Sequence, residues 1–267
     1  MLLSCFVFCM GGKGQPVHQP VENAYNHSGA YSSHFMDVFS FSGNPSCLGS
    51  ISHFSAGILM ERKWMMKELD NEEVSAVCKA GNAGLGLALK HNGDKDYSEQ
   101  AMKIAIGKNL GRLELGIQLD YLLTQAGGYQ AVGFGSSGIG LRLHISEKFI
   151  TGWELGLPVF GRTGKTNPEA APRFFRMGFG YEWSNYLYLA VQIEKVSGIP
   201  LNLISSIEYR YGEQFSFSFG MNSRESIPYF KSGWKKNGLC IQIYTIYEPV
   251  LGFSPGLLLC WESKNRN

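Results

Sequence analysis

Charge is scarce in this chain of 267 residues: Asp, Glu, Lys and Arg together make 17%, the formal net charge is +2, and no basic run stands out. That excludes nucleic acid as a partner, since no electrostatic footprint for phosphates is present. Long apolar runs are also missing. None reaches the roughly 20 residues that a membrane-spanning helix needs. The six cysteines (5, 9, 47, 78, 240 and 260) match no zinc spacing, and no disulfide pairing can be read from them. The six histidines (18, 27, 34, 53, 91 and 144) lie apart, and none is paired at i, i+4 with a carboxylate or a second histidine. No metal or cofactor is expected.

What the chain has in abundance is alternation. In residues 112–123, Leu113, Leu115, Ile117, Leu119, Tyr121 and Leu123 are apolar, and the positions between are polar or glycine until Leu122. Side chains alternate faces along a strand, so this segment has one apolar and one polar wall. The pattern recurs: Phe175, Met177, Phe179, Tyr181 and Trp183; Leu187, Leu189, Val191 and Ile193; Leu203, Ile207 and Tyr209; Phe215, Phe217, Phe219 and Met221; Leu239, Ile241 and Ile243.

Such strands build either a secreted soluble β-sandwich or a membrane barrel. Glycine decides for the barrel. There are 33, and Gly116, Gly156, Gly178, Gly180 and Gly220 fall mid-strand on the polar face. Mid-strand glycine weakens an ordinary sheet, whereas a crowded inner wall gives it a purpose. Short turns (79–82, 108–111, 145–148, 184–185, 211–213 and 235–238) alternate with longer links (61–72, 91–98, 124–129, 158–171, 195–200, 222–228 and 247–256), as in outer-membrane barrels. The strands between them number about 14, each near the roughly 9–11 residues that a tilted span requires. Aromatics near strand ends (Tyr181, Trp183, Tyr186, Tyr188, Tyr209, Tyr211, Tyr244 and Tyr247) suit interfacial girdles. The expected fold is all-β: a transmembrane antiparallel barrel over residues 53–262, followed by a polar tail at 263–267.

The N-terminus reads differently. Residues 2–10 form a short apolar segment followed by Gly12 and Gly14, which resembles a secretory leader without its positive n-region. Residues 1–14 are therefore expected to direct export, and 15–52 to form a periplasmic or plug segment. Within it, Ser32 and Ser33 are placed to cap a short helix through Phe35, Met36, Val38 and Phe39, and Asn44-Pro45 starts a turn.

Here the chain resembles the outer-membrane barrels related to the long-chain fatty-acid transporter (FadL-like), in particular the Bacteroidetes branch of the PorV and PorQ proteins of type IX secretion. That family sets a short helix and an Asn-Pro-small-small-Leu turn before its first strand, and this chain has Asn44-Pro45-Ser46-Cys47-Leu48 there. Residues 54–62 resemble its first strand and 251–259 its last. Ser46-Cys47 departs from the usual small pair, and the chain is shorter than the fatty-acid transporters. The resemblance implies a non-enzymatic protein with one of two roles. It is either a channel in which plug and lumen handle hydrophobic small molecules, or a surface component that binds secretion-system proteins. Outer-membrane lipid is a partner in both cases.

On the polar parity, Arg112, Glu114, Gln118, Asp120, Arg142, Glu154, Arg176, Glu182, Gln192, Glu194, Glu208 and Arg210 should face the lumen. Opposed charges in a narrow interior are expected to pair, because an unpaired buried charge is costly. Other motif matches carry no chemistry. Residues 133–138 fit G-x-G-x-x-G but lack the following helix, and a parity shift between Phe134 and Ile139 reads as a bulge. Residues 161–166 end like a P-loop, yet Val159 stands where its first glycine belongs. A hydrolase at the barrel rim, built from His144 with Ser136, Ser137 or Ser146, is the catalytic alternative.

Overall fold

In a computed structural model, which describes residues 28–162, 173–224 and 226–263, the strands close into one antiparallel barrel. They are β1 (Ser55–Arg62), β2 (Asp70–Ala80), β3 (Ala83–Gly93), β4 (Tyr97–Asn109), β5 (Leu113–Ala126), β6 (Val132–His144) and β7 (Phe149–Arg162). The circuit continues through β8 (Phe174–Ser184), β9 (Leu187–Val196), β10 (Asn202–Tyr211), β11 (Phe215–Asn222), β12 (Ile227–Lys236), β13 (Leu239–Glu248) and β14 (Gly252–Glu262). Each strand pairs with its sequence neighbours, and β1 pairs with β14 (Leu59 opposite Leu258), which leaves no open edge. A bilayer imposes this solution, because every backbone N–H and C=O must be satisfied without water.

The outward face is predominantly apolar. Ile58, Val74, Leu87, Ile104, Leu119, Ile139, Val191, Phe219 and Ile243 are all 39–62% exposed. A belt of that extent is untenable in water and is matched by lipid, so the soluble sandwich is excluded. Trp183, Tyr186, Tyr209, Tyr211 and Trp261 lie outward near the short turns, and Tyr97, Tyr247 and Phe253 near the opposite rim. Tyr188 and Tyr244 do not join these girdles. Both are buried inside, because they sit on the inward parity of β9 and β13.

The short turns fall as expected, at residues 81–82, 110–112, 145–148, 185–186, 212–214 and 237–238, the periplasmic end by the usual rule for such barrels. The opposite links are shorter than the sequence pattern indicates: 94–96, 127–131, 197–201 and 249–251. The ladders simply continue where alternation fades, as in Asn92 opposite Glu99 and Gly93 opposite Ser98. Above the lipid both faces are wet, so backbone pairing persists without an apolar signature. A bulge occurs where the parity shifts. Gly135 faces Phe160 while Ser136 faces Pro158, leaving Val159 as the extra residue.

Inside the barrel lies the segment before β1. The expected helix over residues 35–39 is absent. Short 3₁₀ turns at Ser28–Tyr31, Ser40–Ser42 and Pro45–Ser50 are joined instead by irregular chain. Ser32 does begin a cap, accepting bonds from the Phe35 and His34 amides at 2.8 and 3.1 Å. The chain then follows the lumen wall, which supplies partners that a helix would forgo. The leader expected at residues 1–14, the histidines at 18 and 27, and most of the P-loop-like stretch lie outside the described residues.

Candidate functional site

The site is the lumen with residues 28–52 seated in it. The seat is made of glycine. A Cβ added at Gly116 would collide with Pro45 and Ser46, one at Gly140 with Asn44, and one at Gly178 with the ring of Tyr31. Gly84, Gly107 and Gly180 likewise lie against the backbone of Leu48, Pro45 and Tyr31. Six inner-face glycines thus form a docking bed for the chain's own plug, whereas Gly156 and Gly220 make room for the wall's own Phe174 and Tyr229 rings.

Asn44 fixes the turn. Its side-chain oxygen accepts from the amide and hydroxyl of Ser46, at 3.0 and 2.6 Å. Its amide nitrogen donates to the carbonyls of Leu141 and Trp153, each at 3.3 Å, which ties the turn to β6 and β7. Pro45 follows at the first 3₁₀ position, where its missing N–H is not needed. Leu48 is fully buried and Cys47 is 1% exposed. Burial pushes the Cys47 thiol up to about 12, so it is a packing group and not a nucleophile.

Charged side chains of the wall hold the plug. Arg142, with no exposed surface, pairs through Nε with Glu114 and donates from the guanidinium to the carbonyls of Ala30 (3.0 Å) and Ser32 (3.1 Å) and to Ser50 Oγ (2.7 Å). Ser50 Oγ donates to Glu114 in turn, and Asn109 and His144 also reach that carboxylate. Glu182 accepts from Ser32 Oγ (2.6 Å) and from the amides of Ser33 (2.7 Å) and His34 (3.1 Å), and its second oxygen lies 2.5 Å from His34 Nδ1. Lys103 donates to the Ser42 carbonyl at 3.2 Å, and Arg210 to that of His34 at 2.9 Å while covering the Phe35 ring.

The plug's other face is apolar. Val38, Phe39, Phe41 and Leu48 pack on Leu59, Val77, Ala88, Ala105, Leu258 and the thiol-bearing Cys240 and Cys260. The plug therefore sits between a charged wall (β5, β6, β8 and Arg210 of β10) and a strip of β1 to β4, β13 and β14 whose contacts with it are apolar except at Lys103.

Of the residues placed inward by parity, Glu114, Gln118, Arg142, Glu154, Arg176, Glu182, Gln192 and Glu208 are buried on the inner face, and Asp120, Glu194 and Arg210 are half-buried there. Arg112 is not among them. It is exposed in the 110–112 turn, because β5 begins only at Leu113 and the turn carries the preceding residue out of the lumen. Pairing is extensive: Arg176 meets Glu154 (3.1 Å) and Glu194 (2.8 Å), Lys103 meets Asp120 (3.7 Å), and Lys231 meets Glu208 (3.9 Å). Lys103, Ser32, Ser50 and Lys231 were missing from the sequence-based set, although Lys103 has a visible signal. It stands on the polar parity of β4, opposite Met102, Ile104 and Ile106.

No rim triad forms from the residues considered. Ser136 lies within β6 and His144 at its end, Ser136 Oγ turns to Asp120 (3.4 Å), and Ser146 Oγ accepts the turn amides of Lys148 and Phe149. Among the described residues, no cluster of His, Cys, Asp and Glu is placed to hold a metal.

No protein-family model matches the chain, and no curated protein matches it in sequence. Solved structures do resemble it. The CymD monoaromatic hydrocarbon channel superposes with a TM-score of 0.63 at 11% identity, over 86% of this chain and 94% of that one. The Pseudomonas putida toluene transporter TodX gives 0.59 at 10% identity, over 89% and 97%. The Acinetobacter baumannii outer membrane protein Omp33 gives 0.53 at 7% identity, over 79% and 98%. At these identities the likeness is one of fold. With the lipid-matched outer belt, it makes the chain a β-barrel of the bacterial outer membrane.

Proposed function

We propose that the protein is a non-enzymatic channel for hydrophobic small molecules, closed at rest by residues 28–52. One observation carries this: the buried ion pair and the carboxylate that bind the plug, Arg142–Glu114 and Glu182, lie on one side of it, and most of its other side rests on apolar wall, with Lys103 reaching only the Ser42 carbonyl there. Tilting it away from that strip leaves the Arg142 and Glu182 clamps in place, gives up the Lys103 bond to the Ser42 carbonyl, and opens a path lined by Leu59, Val77, Leu258 and the aromatic rings of Tyr229 and Tyr244. Channels named for monoaromatic hydrocarbons share the fold, and a kinship with the fatty-acid transporter and PorV/PorQ branch accords with the Asn44-Pro45 turn being a wall-docked plug element. The test is uptake of a monoaromatic hydrocarbon and of a long-chain fatty acid by cells that carry or lack the protein. Glu182→Gln, which loosens one clamp, is expected to raise uptake. Equal uptake with and without the protein for both probes would sink the proposal.

A secretion-associated role at the cell surface is the second possibility, and one feature favours it. Met65, Tyr129 and Val250, 66–88% exposed, present apolar side chains at the outer links. Co-purification of secretion components from crosslinked cells, lost on changing these three residues to serine, is its test.

A further inference from the structure

Cys240 and Cys260 face each other directly across β13 and β14. Both point into the lumen, 8% and 5% exposed, as free thiols. The geometry of the rung can be worked out from its neighbour. Glu262 N donates to Gly238 O at 2.8 Å, so that rung is a hydrogen-bonded one. Two residues along each strand, Cys240–Cys260 is again hydrogen-bonded, which sets the Cα atoms about 5.5 Å apart. That falls within the roughly 4.4–6.8 Å that a disulfide spans. Cys47 shares the same core but belongs to the plug, and Cys78 points outward from β2. Of the four cysteines described, two are thus preset as a pair.

We propose that Cys240 and Cys260 are oxidised to a cross-strand disulfide that staples the last hairpin of the barrel. The proposal rests on passage through the periplasm, an oxidising compartment, and not on the channel function. The step is thiol–disulfide exchange with a periplasmic dithiol–disulfide oxidant. The thiolate of one cysteine attacks the oxidant's disulfide to give a mixed disulfide, and the other then displaces the oxidant as its dithiol. Two electrons and the two thiol protons leave with it. Because the pair is buried in one cluster with the plug residues, and Val38 and Phe39 lie against Gly57, the β1 partner of Cys260, oxidation precedes seating of the plug. The bond ties β13 to β14 before β14 has to find β1.

The experiment is thiol mapping of the native protein. Cells are quenched in acid, the outer membrane is denatured, and free thiols are alkylated before and after reduction, with each cysteine located by peptide mass. Cys47 and Cys78 are expected to alkylate without reductant, and Cys240 and Cys260 only after it. In Cys240→Ser, Cys260 is expected to alkylate at once. Alkylation of Cys240 and Cys260 without reductant overturns the proposal, and so does a bridge that includes Cys47. The mapping of the unaltered protein stands even if the serine variant fails to assemble.

Discussion

Arg142 and Glu114 form an ion pair with neither side chain exposed, and both also bind the plug, Arg142 through the carbonyls of Ala30 and Ser32 and Glu114 through Ser50. Wall and plug are therefore one charged unit. The pair matters less for its own attraction than for what its loss leaves behind, a fully buried charge that has lost its principal counter-charge.

Arg142→Met is expected to lower the stability of the assembled barrel by about 3–5 kcal/mol, the usual cost of orphaning one partner of a buried pair. The double replacement Arg142→Met with Glu114→Leu should recover part of that loss, because the orphaned carboxylate is gone. Urea unfolding in lipid vesicles, followed by the heat-dependent gel shift, measures both. A double variant no better than the single one would show that the bonds to the plug carbonyls carry the stability.

Gly178 lies under the ring of Tyr31 and Gly116 under Pro45. Valine favours strands, so a role confined to the wall predicts that Gly178→Val is neutral or stabilising. A docking role predicts the reverse: the barrel forms, its heat-dependent shift is kept, and residues 28–52 become open to protease. Limited proteolysis of outer-membrane vesicles separates the two.

The barrel was legible because lipid enforces a strict period of two, and residues 113–123 and 175–183 obey it without exception at the outward positions. The inward set followed from the same parity and went astray only at Arg112, where pattern ran on past the end of the strand. The plug was legible as a segment at Asn44-Pro45, yet its conformation was not. Propensity around Phe35 to Phe39 points to a helix, but the bonds that Glu182 accepts from residues 32–34 and that Arg142 donates to residues 30 and 32 link positions more than a hundred residues apart. No local pattern encodes partners at that separation. The glycines on the inner face were noticed as a crowded wall, and only the structure shows what crowds it.

Cys47 reports on the plug. Its burial holds the thiol neutral to about pH 12, and the raised value means that almost no thiolate is present near neutrality. Maleimide at pH 7.5 is expected to leave Cys47 untouched in the native barrel. In Glu182→Gln, where one clamp is weakened, labelling should become measurable while the barrel still resists heat. Rapid labelling of the unaltered protein would mean that the plug leaves its seat on its own.

The outer belt can be tested by depth. Leu119 is 60% exposed in the middle of β5, whereas Phe253 is 56% exposed close to the outer rim of β14. A charge at the bilayer midplane of such a barrel costs about 2–4 kcal/mol, falling to about 0–1 kcal/mol near the interface. Leu119→Arg is thus expected to shift vesicle-bound unfolding strongly and Phe253→Arg hardly at all. The near equality of their exposures makes the comparison sharp, since a protein in water would treat the two alike and gain solubility from either. A large loss at Leu119 with little at Phe253 measures where the lipid sits, and equal effects would mean that the apolar belt is covered by something other than a bilayer.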